Sequence, residues 1–288
     1  MDLPADLEPI DVRHLGRERA ICCWRVGDVL VDPGPASCAD TLVGALGERV
    51  PRAILLTHVH LDHAGAAGTL AARWPDVQVY VHERGAPHVA DPSRLWASAR
   101  RIYGDAMETL WGEMAPVPED RLHVLRGGET LDLEGGVEVA YTPGHAWHHV
   151  AYRHLPSGWA LTGDLAGVRI PPSAHVLAPT PPPDIDLDAW RSSLAALAAW
   201  EPAGLGLTHF GPVGDAGAQI AGVRASLDTH AALARELGAE EFAARIHAEI
   251  AAASDPRTAA VFEHASPALS LHAGLARYWA RREPGRPG

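Results

Sequence analysis

The chain has 288 residues, a net charge of −12 from 24 basic and 36 acidic side chains, and 47% hydrophobic residues. That is long enough for one large domain, or for one domain with an appendage, and the balance of apolar and charged residues is that of a globular protein rather than a disordered one. All the basic residues are arginine and no asparagine occurs, which excludes a phosphate-loop lysine, a Schiff-base lysine, the kinase lysine, N-glycosylation and a Cys-His-Asn protease.

The remaining composition narrows the setting. The acidic balance and scattered arginines argue against a nucleic-acid partner, which needs clustered cations. Met1-Asp2-Leu3-Pro4-Ala5-Asp6 is acidic and lacks the apolar stretch of a signal peptide, and no run of 18 apolar residues occurs, so the expectation is a cytoplasmic protein with no membrane partner. Cys22, Cys23 and Cys38 make no CxxC pair. Cys22 and Cys23 are adjacent in an apolar run, so their side chains should take opposite faces of a strand, at least one of them as a buried structural thiol.

In chain order, residues 20–26 and 29–31 read as strands around a Gly27-Asp28 turn, and Asp32-Pro33-Gly34 ends the second. Residues 52–57 form a short, continuously apolar strand of the kind buried on both faces. The pattern predicts a helix over 62–74, closed by Pro75, and an alternating strand over 77–81. Residues 85–120 then turn helical, carrying Trp96, Tyr103, Met107, Trp111 and Met114 between prolines. Short strands separated by glycine pairs return over 121–164. A Pro-rich loop covers 171–183, a helix capped by Asp186 or Asp188 covers 186–200, and a last strand spans 205–208. Residues 215–288 carry helical spacing throughout, as in Phe242, Ile246 and Ile250.

One segment stands apart, Thr57-His58-Val59-His60-Leu61-Asp62-His63. In extended backbone His58 and His60 point the same way. A helix starting near Asp62 turns Asp62 and His63 toward a second point nearby. Four ligand-type side chains in six residues at a strand end suit two adjacent metals. Chance would produce such an HxHxDH match roughly 0.004 times in a chain of this composition. Three later strand ends offer further ligands: Thr142-Pro143-Gly144-His145, Leu161-Thr162-Gly163-Asp164 and Leu207-Thr208-His209.

These motifs, in this order over residues 10–212, resemble the metallo-β-lactamase-fold hydrolase superfamily and, within it, the branch of glyoxalase II and related thioester and lactone hydrolases. The resemblance implies an α/β fold, an αββα sandwich with a C-terminal helical extension. It places the catalytic domain at 1–214, with 85–120 as a helical, lid-like insertion, and a packed helical region at 215–288. It assigns His58, His60 and His145 to a first metal and Asp62, His63 and His209 to a second. Asp164 bridges them, and Asp32 orients the HxHxDH loop from behind. Asp62, Asp164 and His145 carry the catalysis.

The implied cofactors are two divalent metal ions, zinc first and iron or manganese as alternatives. Water shared between them, with its pKa lowered to about 7 or below, would attack the carbonyl of a small-molecule ester, thioester or lactone. Two departures matter. The bridging Asp164 is foreign to true β-lactamases of the His-Asp-His type, and the lysines with which glyoxalase II reads glutathione have no counterpart here. The alternatives are a mononuclear iron persulfide dioxygenase of the same fold and a non-catalytic binding protein. A homodimer is left open. His175, in the Pro-rich loop, and one of His148 and His149 are candidate substrate contacts, His149 fitting better the strand that begins there. The aromatic and Met residues of 85–114 divide between an apolar wall over the metals and core.

Overall fold

A computed structural model describes residues 3–282. Six strands in chain order make a first sheet: β1 (Leu7–Asp11), β2 (Cys22–Val26), β3 (Val29–Val31), β4 (Ala53–Leu55), β5 (Gln78–His82) and β6 (Leu122–Leu125). The first three pair antiparallel and β3 to β6 pair parallel. Parallel neighbours require crossovers. These are α1 (Ala39–Leu46) between β3 and β4, α2 (Leu61–Ala64) and α3 (Ala67–Arg73) between β4 and β5, and α4 (Ala86–Ala90), α5 (Ser93–Tyr103) and α6 (Met107–Trp111) between β5 and β6.

The second sheet runs in the order β12-β11-β10-β9-β8-β7. Its strands are β7 (Thr130–Leu131), β8 (Val137–Tyr141), β9 (Val150–His154), β10 (Trp159–Leu161), β11 (Gly204–Leu207) and β12 (Gly211–Val213). Only β10 and β11 are parallel, and α7 (Leu187–Ala199) joins them. Asp186 caps α7, its carboxylate accepting from the backbone N–H of Asp188 and Ala189. Four helices complete the described residues: α8 (Ala216–Glu236), α9 (Ala239–Ala253), α10 (Pro256–Ala265) and α11 (Ala268–Arg282). The architecture is the αββα sandwich with C-terminal helices that the motifs imply. Among the described residues no helix is long and apolar enough to cross a membrane.

Alternation along the strands decides what each layer buries. Trp24, Val31 and Leu55 of the first sheet face Val139, Tyr152 and Leu161 of the second in a core between the sheets. Leu30, Ile54 and Val79 point the other way, against Leu42 and Leu70 of the helices. Cys22 and Cys23 fall on opposite sides of β2 as expected, one in each cluster, and burial pushes both thiols well above their usual range. Polar groups lock the sheets together at one edge. Cys22 N–H donates to Thr208 C=O, Val150 N–H to Thr57 C=O, Trp24 Nε1–H to Leu207 C=O and Tyr152 O–H to Leu56 C=O, at 2.7–3.0 Å.

The helix expected over 62–74 is broken in two. The carbonyl of His63 accepts Gly34 N–H at 3.2 Å and the Gly34 carbonyl accepts Ala66 N–H at 2.9 Å, so the β3–α1 loop wedges into the break. Gly65 is needed there, because a Cβ would lie 2.4 Å from Leu61 O and 3.0 Å from the Pro35 backbone. The hairpin strand β12 carried no alternation signal, since Gly211-Pro212-Val213 is too short to show a period.

Candidate metal centre

The strand ends locked together by those bonds deliver every motif to one place. Asp32 follows β3, His58 and His60 follow β4, Asp62 and His63 open α2, His145 lies in the β8–β9 loop, Asp164 follows β10 and His209 follows β11. Nitrogens of His58 (Nε2), His60 (Nδ1) and His145 (Nε2) converge, with His60 Nδ1 3.0 Å from each of the other two. A second group gathers around Asp62 Oδ2, which lies 3.4 Å from His209 Nε2 and 3.8 Å from His63 Nε2. Asp164 spans both groups. Its Oδ2 is 3.2 Å from His145 Nε2, while Oδ1 is 3.3 Å from His63 Nε2 and 3.5 Å from His209 Nε2.

The outer nitrogens show that these rings aim lone pairs inward. His145 Nδ1 donates to Pro179 C=O at 2.9 Å and His209 Nδ1 to Ala20 C=O at 2.7 Å. His63 Nδ1 donates to Asp32 Oδ2 at 2.7 Å. Thr57 O–H donates to the same carboxylate oxygen at 2.7 Å and so accepts from His58 Nδ1 at 3.0 Å. Each outer N–H is spent, so in its neutral form each ring presents an acceptor to the centre. Buried His63 Nε2 and Asp164 Oδ1 have no hydrogen-bond partner among the described residues. Converging lone pairs and orphaned buried acceptors repel one another unless a cation lies among them, so this donor set fits divalent metal.

Charges divide along the same line. Burial and the neighbouring imidazoles hold His58 well below the usual histidine range and His60 at about 3. Burial also opposes charge on His63 and His209, yet the adjacent carboxylates outweigh it and raise both, His63 strongly. Asp164 is held well below the carboxylate range: burial opposes its charge, and His63, His145 and His209 overcome that opposition.

Asp32 is fully buried and takes four donors: Thr57 N–H (2.8 Å), Thr57 O–H, His63 Nδ1–H and Thr208 O–H (3.0 Å). Thr57 and Thr208 are functional positions that sequence reasoning passed over, though each stands immediately before a histidine at a strand end. Gly144 places His145. Its φ is +138°, and a Cβ there would lie 2.3–2.4 Å from the backbone and Cβ of Trp190, whose ring meets the His145 ring edge-on. Gly144→Ala is therefore expected to lower the melting temperature by about 5 °C or more and to weaken metal retention, read by calorimetry and metal analysis; an unchanged melting curve would contradict the packing argument.

The other histidines sort differently. His148 stacks behind His58, with ring centres 6.1 Å apart, and accepts Val59 N–H at 3.4 Å, while His149 is buried with Nδ1 against Thr142 Oγ1 at 2.8 Å. Neither lines the cavity above the centre, and nor does His175. His175 instead packs edge-on against Phe262, with Glu249 3.9 Å away, because the Pro-rich loop turns it toward the C-terminal helices.

That cavity holds about 340 Å³. His60, Asp62, Asp164 and His209 form its floor, α5 and α6 contribute Ile102, Tyr103 and Trp111, and Pro179 and Pro181–Pro183 close another side. Met107 and Met114 are core residues instead. His14 and His264, which sequence reasoning did not single out, also line the cavity; 250 positions apart, they carry no joint signal.

Comparison with known proteins agrees with this geometry. The chain is 31% identical over 164 residues to the metallo-β-lactamase fold-containing protein ST1585 of Sulfurisphaera tokodaii, covering 56% of this chain and 60% of that one. It is 30% identical over 136 residues to the hydroxyacylglutathione hydrolase of Xanthomonas axonopodis pv. citri, covering 47% of this chain and 40% of that one. The chain thus spans only about two-fifths to three-fifths of these relatives' length. The fold matches that of a metallo-β-lactamase family protein from Thermus thermophilus, with a TM-score of 0.61 at 22% identity over 98% of this chain and 95% of that one. Residues 25–205, which run from β2 into β11 and hold all the inward-facing donors except His209, match the family model described as the metallo-beta-lactamase superfamily, and this chain belongs to that superfamily.

Proposed function

We propose that the protein is a hydrolase of small-molecule esters, thioesters or lactones that works with two divalent metal ions, zinc being the best match to a donor set of imidazoles and carboxylates. The observation that carries this reading is Asp164, whose two oxygens face separate donor groups. His58, His60 and His145 would hold one ion, Asp62, His63 and His209 the other, and Asp164 both. When bound, the ions supply Lewis acidity toward the carbonyl oxygen and a water ionised near neutral pH. The chain's own contribution is orientation. Asp32, Pro179 and Ala20 fix the imidazoles, the carboxylates of Asp62 and Asp164 balance part of the cationic charge, and the α5–α6 wall limits water over the floor. Hydroxyacylglutathione hydrolases among the relatives support acyl chemistry. Purified protein should carry about two metals per chain and hydrolyse members of an ester, thioester and lactone panel. Fewer than about 1.5 metals per chain after gentle purification would undercut the two-metal reading, and a fully loaded protein inert across the panel would overturn hydrolysis.

Acid should empty the two groups in turn. Metal competes with protons for imidazole, and a raised pKa lets protons win at higher pH. His63 and His209 are raised whereas His58, His60 and His145 are lowered. On dialysis at falling pH, metal content is therefore expected to drop first to about one per chain, with the Asp62–His63–His209 group vacated. Loss of both metals in a single step would contradict this assignment.

A further inference from the structure

The walls of the cavity say what kind of molecule reaches its floor. Among the described residues that line it there is no arginine, and the chain has no lysine, so its charged lining groups are Asp62, Asp164 and Glu263. Glu263 is already engaged, its Oε2 accepting from His247 Nε2 at 2.8 Å and from Ala268 N–H at 3.2 Å. A carboxylate carried on the remote part of a substrate would lie on a mostly apolar wall with no arginine among its described lining residues, which is costly. Ser98, Tyr103, Trp111, Ser266 and Ser270 also line it, the buried Trp111 Nε1–H having no partner among the described residues, and the pair His14–His264 stands out from them because its hydrogen bonds fix where its protons lie. His14 Nε2 lies 2.6 Å from Leu110 C=O, which only accepts, so the proton is on Nε2 and Nδ1 is an acceptor. His264 Nε2 lies 3.0 Å from that Nδ1 and must donate to it. Neutral His264 therefore keeps a lone pair on Nδ1, which has no partner among the described residues. Burial, with His14 adding to it, holds His264 at about 4, and burial also lowers His14, so the pair is neutral at physiological pH.

We propose that the cavity takes an uncharged acyl compound with an apolar body and one N–H or O–H donor near the scissile carbonyl, the donor being received by His264 Nδ1. The inference rests on the hydrolase reading above and gives it a substrate class. His264 acts as a positioning residue held in one tautomer by His14 and Leu110.

Four ethyl esters test this on the metal-loaded protein. N-octanoylglycine ethyl ester is the reference. Its N-methyl analogue lacks the N–H, its ω-carboxylate analogue adds a remote charge, and N-acetylglycine ethyl ester lacks the apolar body. The reference is expected to exceed each of the others in kcat/KM by at least about ten-fold. His264→Leu should cost the reference about ten-fold, mainly through KM, and leave the N-methyl ester within about two-fold; His264→Gln, which can present an acceptor, should recover most of the loss. Equal losses for both esters in His264→Leu, or equal use of the ω-carboxylate ester, would overturn the proposal. Calorimetric binding of N-octanoylglycinamide and its ω-carboxylate analogue separates the two readings. A ten-fold preference for the neutral amide with no ester turnover would sink the hydrolase reading and keep the cavity assignment, whereas turnover without preference would sink the cavity assignment alone.

Discussion

Asp164→Asn is expected to reduce kcat/KM by about 10³-fold or more and metal content to about one ion per chain, with little change in fold. The side chain is nearly isosteric, and its surroundings hold the backbone in place: Asp164 C=O accepts Gly167 N–H at 3.0 Å and Thr162 C=O accepts Leu165 N–H at 3.0 Å. What changes is charge. Among the described residues Asp164 carries the only carboxylate whose oxygens approach both donor groups, and the amide would present an N–H₂ to either His145 Nε2 or His63 Nε2, where a metal-directed lone pair is needed. Removing one negative charge from between two cations also restores their repulsion at short range. Metal analysis and steady-state kinetics on the same preparation check the outcome. A variant with two metals and near-wild-type turnover would mean that Asp164 is not shared between them.

The inward-facing donors were legible because each sits at the end of a strand, where the chain must turn and a small-residue context marks the turn. HxHxDH is local: extended backbone sets His58 beside His60, and the start of α2 sets Asp62 and His63, so spacing alone carries the geometry. Asp32, His145, Asp164 and His209 are scattered through the chain, and the resemblance ordered them before the sheets did. The break at Gly65 was not legible, since it depends on Gly34 N–H taking the His63 carbonyl from a loop 29 residues earlier. His175 and His264 show the same limit from both sides. Both lie in segments whose direction is set by packing among α8–α11, and periodicity reports which face of a helix is apolar, not which cavity a loop turns toward. The acidic, lysine-free composition reached further than a count of charges would suggest, because it bears directly on a cavity whose described lining holds no arginine either.

Asp32→Ala should be the most damaging change outside the inward-facing donors, lowering stability by about 3–5 kcal/mol and metal affinity by about 10- to 100-fold. The carboxylate is fully buried and satisfies four donors, so its loss orphans Thr57 N–H, Thr57 O–H, Thr208 O–H and His63 Nδ1–H together. Two of those bonds transmit to metal donors: His63 directly, and His58 through Thr57. The backbone adds to the effect, because Asp32 sits at φ +50°, a region that Asp tolerates better than Ala. Asp32→Asn keeps the shape and one acceptor oxygen but turns an N–H₂ toward other donors, so it should fall between wild type and Ala. Thr208→Val removes one donor that leads to no other ring, and should cost about 1 kcal/mol with metal affinity nearly unchanged. Thr57→Val breaks the link to His58 and should weaken metal binding as well as stability. Thermal unfolding of the metal-free proteins isolates the structural part, and metal titration against a chelator the rest. If Thr57→Val and Thr208→Val proved equal in metal affinity, the relay from Asp32 through Thr57 to His58 would be wrong, and Asp32 would act on the centre through His63 alone.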